Sequence, residues 1–62
     1  MDEFRLCFLT AHDHLADNVA LSAPTLDAAI ARAIELADGR RMELWQGVVR
    51  LKAWPATATA AT

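Results

Sequence analysis

Cysteine, glycine, proline and aromatic residues are all scarce in this chain. Of its 62 residues one is cysteine, two are glycine and two proline, and two tryptophans and two phenylalanines make up the aromatics, with no tyrosine. The single thiol, Cys7, has no partner in the chain, which excludes a disulfide-stapled scaffold and leads us to expect a reducing, cytoplasmic setting. The two histidines, His12 and His14, supply too few nitrogens for a zinc site even with Asp13 and Asp17 nearby, so we read them as part of a polar loop. There is no glycine-rich phosphate loop, no Ser-His-Asp set and no paired carboxylates in a plausible pocket, so no enzyme and no cofactor are expected. No apolar run approaches the roughly 18 residues a membrane span requires, and the opening Met1-Asp2-Glu3-Phe4-Arg5 is acidic where a secretory signal would be basic. Six basic against eight acidic side chains give a net charge of −2, which argues against a generic nucleic-acid binder.

A chain this short forms one domain and buries only about 60% of the surface its unfolded form exposes, so marginal stability and self-association are expected. The composition nevertheless is 55% hydrophobic, part of it alanine. We place the domain at residues 1–54. The low-complexity segment 55–62, Pro-Ala-Thr-Ala-Thr-Ala-Ala-Thr, is expected to be a disordered tail.

One stretch has a sustained helical period. Leu26, Ile30, Ala33, Ile34 and Ala37 draw an apolar stripe, Thr25 is a suitable N-cap, Asp27 suits the first turn, and Gly39 suits the position after the end. The spacing predicts a helix from 25 or 26 to 38. Before it, Phe4–Thr10 and Asn18–Ala23 alternate as strands. A two-residue Asp13-His14 loop would pair Phe8 with Val19, Leu6 with Leu21 and Phe4 with Ala23, and a longer loop is the alternative because His14 suits a positive φ poorly. After the helix, Met42–Trp54 folds back at Gln46-Gly47, which pairs Leu44 with Val49, Met42 with Leu51, Trp45 with Val48, and Glu43 with Arg50 as an exposed ion pair. The fold class is α+β: a ββαββ order with a four-stranded antiparallel sheet in spatial order 2-1-3-4 and one helix packed on one face.

Glu35-Leu36-Ala37-Asp38-Gly39 and Met42-Glu43-Leu44-Trp45-Gln46-Gly47, with Phe8-Leu9 and Asp13-His14 upstream, resemble a group of short alphaproteobacterial proteins of unknown function. The resemblance spans roughly residues 3–52. It implies a recurring small fold and assigns no activity. Relatives of that kind often have glycine after the Asp of the first turn, where this chain has His14-Leu15.

The helix-free sheet face is the expected contact surface. By the pairing above it carries Arg5, Cys7, Leu9, Ala20, Arg41, Trp45, Val48, Arg50, Lys52 and Trp54, more exposed apolar surface than a soluble monomer usually shows. The first reading is a homodimer that covers Arg5, Cys7, Leu9, Trp45, Val48, Arg50, Lys52 and Trp54, or one paired along the edge of strand 2 or strand 4. An unidentified protein partner at a free edge is a further reading. The alternative is binding of single-stranded nucleic acid through the same basic and aromatic side chains. The negative net charge and the lack of an RNP-like motif count against it. Cys7 is expected to be a packed or interfacial thiol rather than a nucleophile.

Overall fold

A computed structural model of the chain describes residues 1–57, so residues 58–62 of the tail predicted at 55–62 lie outside the described residues. Strand β1 spans Asp2–Leu9 and β2 Leu15–Ala23, helix α1 spans Leu26–Leu36, and β3 and β4 span Arg41–Gln46 and Val49–Trp54. The four strands form one antiparallel sheet ordered β2-β1-β3-β4. This is the ββαββ, α+β architecture that the alternation predicts. Residues 55–57 have no regular structure, although the Thr57 N–H donates to the Gly39 carbonyl at 2.9 Å.

Alternation along the strands places the core. Phe4, Leu6 and Phe8 of β1, Leu21 and Ala23 of β2, and Met42 and Leu44 of β3 are buried on one sheet face against Ala29 and Ala33 of α1. Two alanines at the contact let the helix backbone approach the sheet closely. The helix begins as predicted: the Thr25 Oγ1 accepts from the Ala28 N–H at 3.1 Å, with Asp27 in the first turn. Its other end is shorter than predicted. The helix stops at Leu36, Ala37 is already extended, and Gly39 takes its positive φ in the turn leading to β3 rather than directly after the helix. Asp38 accounts for this. Its carboxylate accepts from the Arg40 N–H at 3.1 Å and from the Arg40 Nε at 2.8 Å, a local turn that competes with helix continuation. The predicted stripe also rotates: Ile34 is 57% and Leu26 40% exposed, because the face that meets the sheet is centred on Ala29 and Ala33.

Both hairpins exist with registers different from those predicted. In the first, Phe4 pairs with Leu21, Leu6 with Val19 and Phe8 with Asp17. The connection is the longer loop, running from Thr10 to His14, and Asp13 is its one residue with positive φ. A two-residue Asp13-His14 loop fails because positive φ is costly at His14, whereas Asp tolerates it. Thr10 ties the loop, its hydroxyl accepting from the His12 and His14 N–H groups at 3.2 Å each. The displacement is by two residues, so both strands keep their faces.

In the second hairpin Gln46 pairs with Val49 and Trp45 with Arg50, so the loop is Gly47-Val48 and not Gln46-Gly47; Trp45 and Val48 do not pair. Positive φ occurs at Gly47, +61°, and not at Val48, which is the requirement of a loop with glycine at its first central position. Beyond Leu44 the register shifts at a bulge. Leu51 is the extra residue, and from there β4 turns over: Lys52 partners Leu44 and Trp54 partners Met42.

Candidate functional site

The sheet face opposite the helix is built from cross-strand rows. Ala20, Arg5, Trp45 and Arg50 are successive partners across β2, β1, β3 and β4, and Asn18, Cys7, Glu43 and Ala53 form the next row. Leu9 partners Arg41 in the row beyond. On β1 and β3 these residues alternate with buried core residues of the same strand, and the cross-strand pairing carries the face to their partners on β2 and β4.

Polar pairs lace this surface. Arg5 donates to the Asn18 Oδ1 at 2.7 Å, and Arg50 reaches the Glu43 carboxylate at 3.0 Å. Arg41 pairs with Asp13 of the first loop. Glu43 is the hub. Its side chain is only 15% exposed, and besides Arg50 it accepts from the Trp45 Nε1 at 3.2 Å. The sequence predicts Glu43 and Arg50 as directly opposed and exposed; the structure keeps the ion pair but makes it diagonal, since the backbone partner of Glu43 is Ala53. The hub role escaped the sequence reading, although the two-residue spacing of Glu43 and Trp45 puts both on one strand face. Between these pairs, Leu9, Cys7 and Trp45 are half-buried.

Of the predicted contact residues, Arg5, Cys7, Leu9, Trp45 and Arg50 share this face. Three do not. Val48 occupies the β3–β4 loop and is 92% exposed. Lys52 and Trp54 lie on the helix side, where Trp54 packs against the core and the Lys52 Nζ stands 5.6 Å from the Trp54 ring centroid. The bulge at Leu51 is the physical reason, because one extra residue reverses every side chain beyond it.

Cys7 is held protonated above its ordinary range. Partial burial contributes most, the Glu43 carboxylate opposite adds to it, and Arg5 works against both. The sequence pairing of Arg5 with Cys7 is therefore real but outweighed, and the thiol is no activated nucleophile.

At the end of the sheet where β1 stops and β3 starts, Leu9, Ala16, Arg40, Arg41, Trp54 and Pro55 contribute to an open groove of about 1050 Å³. Both guanidiniums are engaged, Arg41 with Asp13 and Arg40 with Asp38 at 2.7 Å. Arg40 also covers the Phe8 ring, 4.6 Å from its centroid, and pairing holds the Asp38 carboxyl below its usual range. The ring centroids of His12 and His14 are 6.5 Å apart. No group of three metal-ligating side chains comes together among the described residues, and no helix among them is long and apolar enough to cross a membrane.

Compared with known proteins, the chain matches no family model, no curated protein and no solved structure. What the geometry defines is a small sheet-and-helix domain with one sheet face uncovered.

Proposed function

We propose that this chain is a homodimeric interaction module without catalytic activity, and that the helix-free sheet face is its contact surface. One observation carries the reading: Leu9, Cys7 and Trp45 form a half-buried diagonal across the central strands β1 and β3, and the polar groups interleaved with them are already paired, Arg5 with Asn18, Glu43 with Arg50 and Arg41 with Asp13. Apolar side chains among satisfied polar groups suit a protein–protein contact. Size supports it as well, since covering a few hundred Å² of apolar surface per subunit at about 25 cal/mol per Å² contributes several kcal/mol, less the entropy of association. A cytoplasmic setting fits the lone thiol.

Single-stranded nucleic acid finds less support. Trp45 stands between Arg5 and Arg50, but Arg50 and Arg41 are paired with carboxylates, and Lys52 faces the other way. Sedimentation equilibrium at micromolar concentration tests the reading. The face contact by itself doubles the 6.8 kDa mass of the chain. Trp45→Asp should halve the mass or unfold the chain, and circular dichroism separates those two results, while His12→Ala should change neither mass nor stability. A folded Trp45→Asp chain with the mass of the parent would remove the face from consideration.

A further inference from the structure

We propose that the free edge of β2 is a second self-association surface, along which residues 17–23 pair antiparallel with residues 17–23 of another copy about a two-fold axis through Ala20. The contact goes beyond the helix-free face and does not depend on it.

Three features of the two sheet edges carry this. β2 is an edge strand and, at nine residues, the longest strand of the sheet. Long edges normally carry lysine, proline or a bulge that deters pairing. The opposite edge, β4, is defended in this way by Arg50, Lys52 and the bulge at Leu51. β2 has no Lys, Arg, Pro or Gly, its sequence being Leu-Ala-Asp-Asn-Val-Ala-Leu-Ser-Ala, and its one irregularity lies at the start, beside Phe8 and Leu9.

The residues of β2 are also complementary to themselves. A two-fold axis that leaves both helices on the same side requires a residue of β2 to face its own copy, since any intermediate register would pair one molecule's core face with the other's open face. With Ala20 on the axis, Val19 meets Leu21 on the helix side, Asn18 meets Ser22 on the open side, and Asp17 meets Ala23, so no charge faces a like charge. With Val19 on the axis, Asp17 would oppose Leu21. With Leu21 on the axis, Asn18 would oppose Pro24, which has no N–H to donate.

A two-residue connection separates the end of β2 from the start of α1. The two-fold therefore places the two helix starts at opposite ends of the seam, so they do not meet across it.

Site-specific cross-linking tests the register. In a Cys7→Ala chain, Ala20→Cys puts the introduced thiols directly across the axis, where antiparallel Cα atoms stand about 4.5–5.5 Å apart, a disulfide-compatible distance. Ser22→Cys places them four positions out of register, roughly 13 Å apart along the strand. Mild oxidation at low micromolar concentration should convert most of the Ala20→Cys chain to a covalent dimer with unchanged circular dichroism and leave the Ser22→Cys chain monomeric on a non-reducing gel. Equal cross-linking of both, or of neither, overturns the proposal. Ala20→Glu is the second variant. Ala20 is exposed and partners Arg5, so one chain tolerates the change, yet across the axis two carboxylates oppose each other. The mass should fall twofold, and an unchanged mass overturns the proposal. If the face reading fails, Trp45→Asp leaves the mass alone and the Ala20→Cys cross-link persists. If the edge reading fails, the cross-link is lost and the effect of Trp45→Asp remains.

Discussion

Truncating Leu44 should remove most of the stability of this domain, while truncating Ile34 should barely affect it. Leu44 and Leu6 are the largest wholly buried side chains, each at 0% exposure. They sit opposite one another on β3 and β1, at the centre of the sheet. Leu44→Ala loses the transfer energy of three buried carbons and leaves a cavity that strands on both sides prevent from collapsing, about 3–5 kcal/mol by analogy with other cores. Scaled by chain length, the whole domain holds roughly 3–9 kcal/mol. With a urea dependence of about 1 kcal/mol per molar, the midpoint should fall by about 3–5 M, or folding should be lost outright. Ile34 is 57% exposed, so Ile34→Ala gives up less than half of a side-chain transfer and gains helix propensity, a net change within about 1 kcal/mol. Urea titration followed by far-ultraviolet circular dichroism decides this, at one fixed protein concentration because self-association shifts the midpoint. A Leu44→Ala midpoint within 1 M of the parent, or an Ile34→Ala chain as damaged as Leu44→Ala, would refute the assignment of the core to Ala29 and Ala33.

The Cys7 thiol should alkylate along a pH profile displaced upward from that of the urea-unfolded chain, since burial and Glu43 raise its pKa. Glu43→Gln should move the profile down and Arg5→Gln should move it up; coincident folded and unfolded profiles would contradict the placement of the thiol. The same sign governs stability: whatever the protonated thiol contributes is present below the unfolded pKa and is lost as pH rises through the folded one. Gly47→Ala should cost about 1–2 kcal/mol, read as a melting temperature several degrees lower, because nothing lies within 4 Å of an added Cβ and only the φ of +61° opposes it. Gly47→Asn should cost less, and an unchanged melting temperature for Gly47→Ala would place the left-handed residue of the loop elsewhere.

The architecture was legible because it depends on patterns that repeat. Phe4, Leu6 and Phe8 alternate over a whole strand, and Leu26, Ile30, Ala33 and Ile34 return at helical spacing, so an error at any one residue leaves the element intact. The ends of elements lack that redundancy. Whether the helix ends at Leu36 or Asp38 is decided by a carboxylate that bonds Arg40, and whether the first loop has two residues or five by which of Asp13 and His14 accepts a positive φ. The second loop shows the same dependence. Glycine serves either central position of a tight hairpin, and Gly47 alone does not say which, so the loop expected at Gln46-Gly47 is displaced by one residue to Gly47-Val48, as the pairing of Gln46 with Val49 requires.

The candidate surface was less legible than the fold for a reason that follows from the sheet itself. Side chains on a strand alternate with period two, so a register error of two residues preserves each face and an inserted residue reverses it. The first hairpin shows the harmless case: its partners move by two and the core face survives. The second shows the other. Its loop displacement also preserves the faces, and Arg50 stays beside Trp45, but the unpaired Leu51 transfers Lys52 and Trp54 to the helix side. No turn residue marks that bulge, since Arg50-Leu51-Lys52 reads as ordinary alternation. Its effect on function is direct. One cation and one indole leave the open face, the cations of β3 and β4 that remain on it are neutralised by Asp13 and Glu43, and a surface that reads in sequence as a basic aromatic platform becomes apolar side chains interleaved with balanced charges. Charge balance of this kind suits a like surface better than a polyanion, which is why self-association rather than nucleic-acid binding is the reading to test on this face.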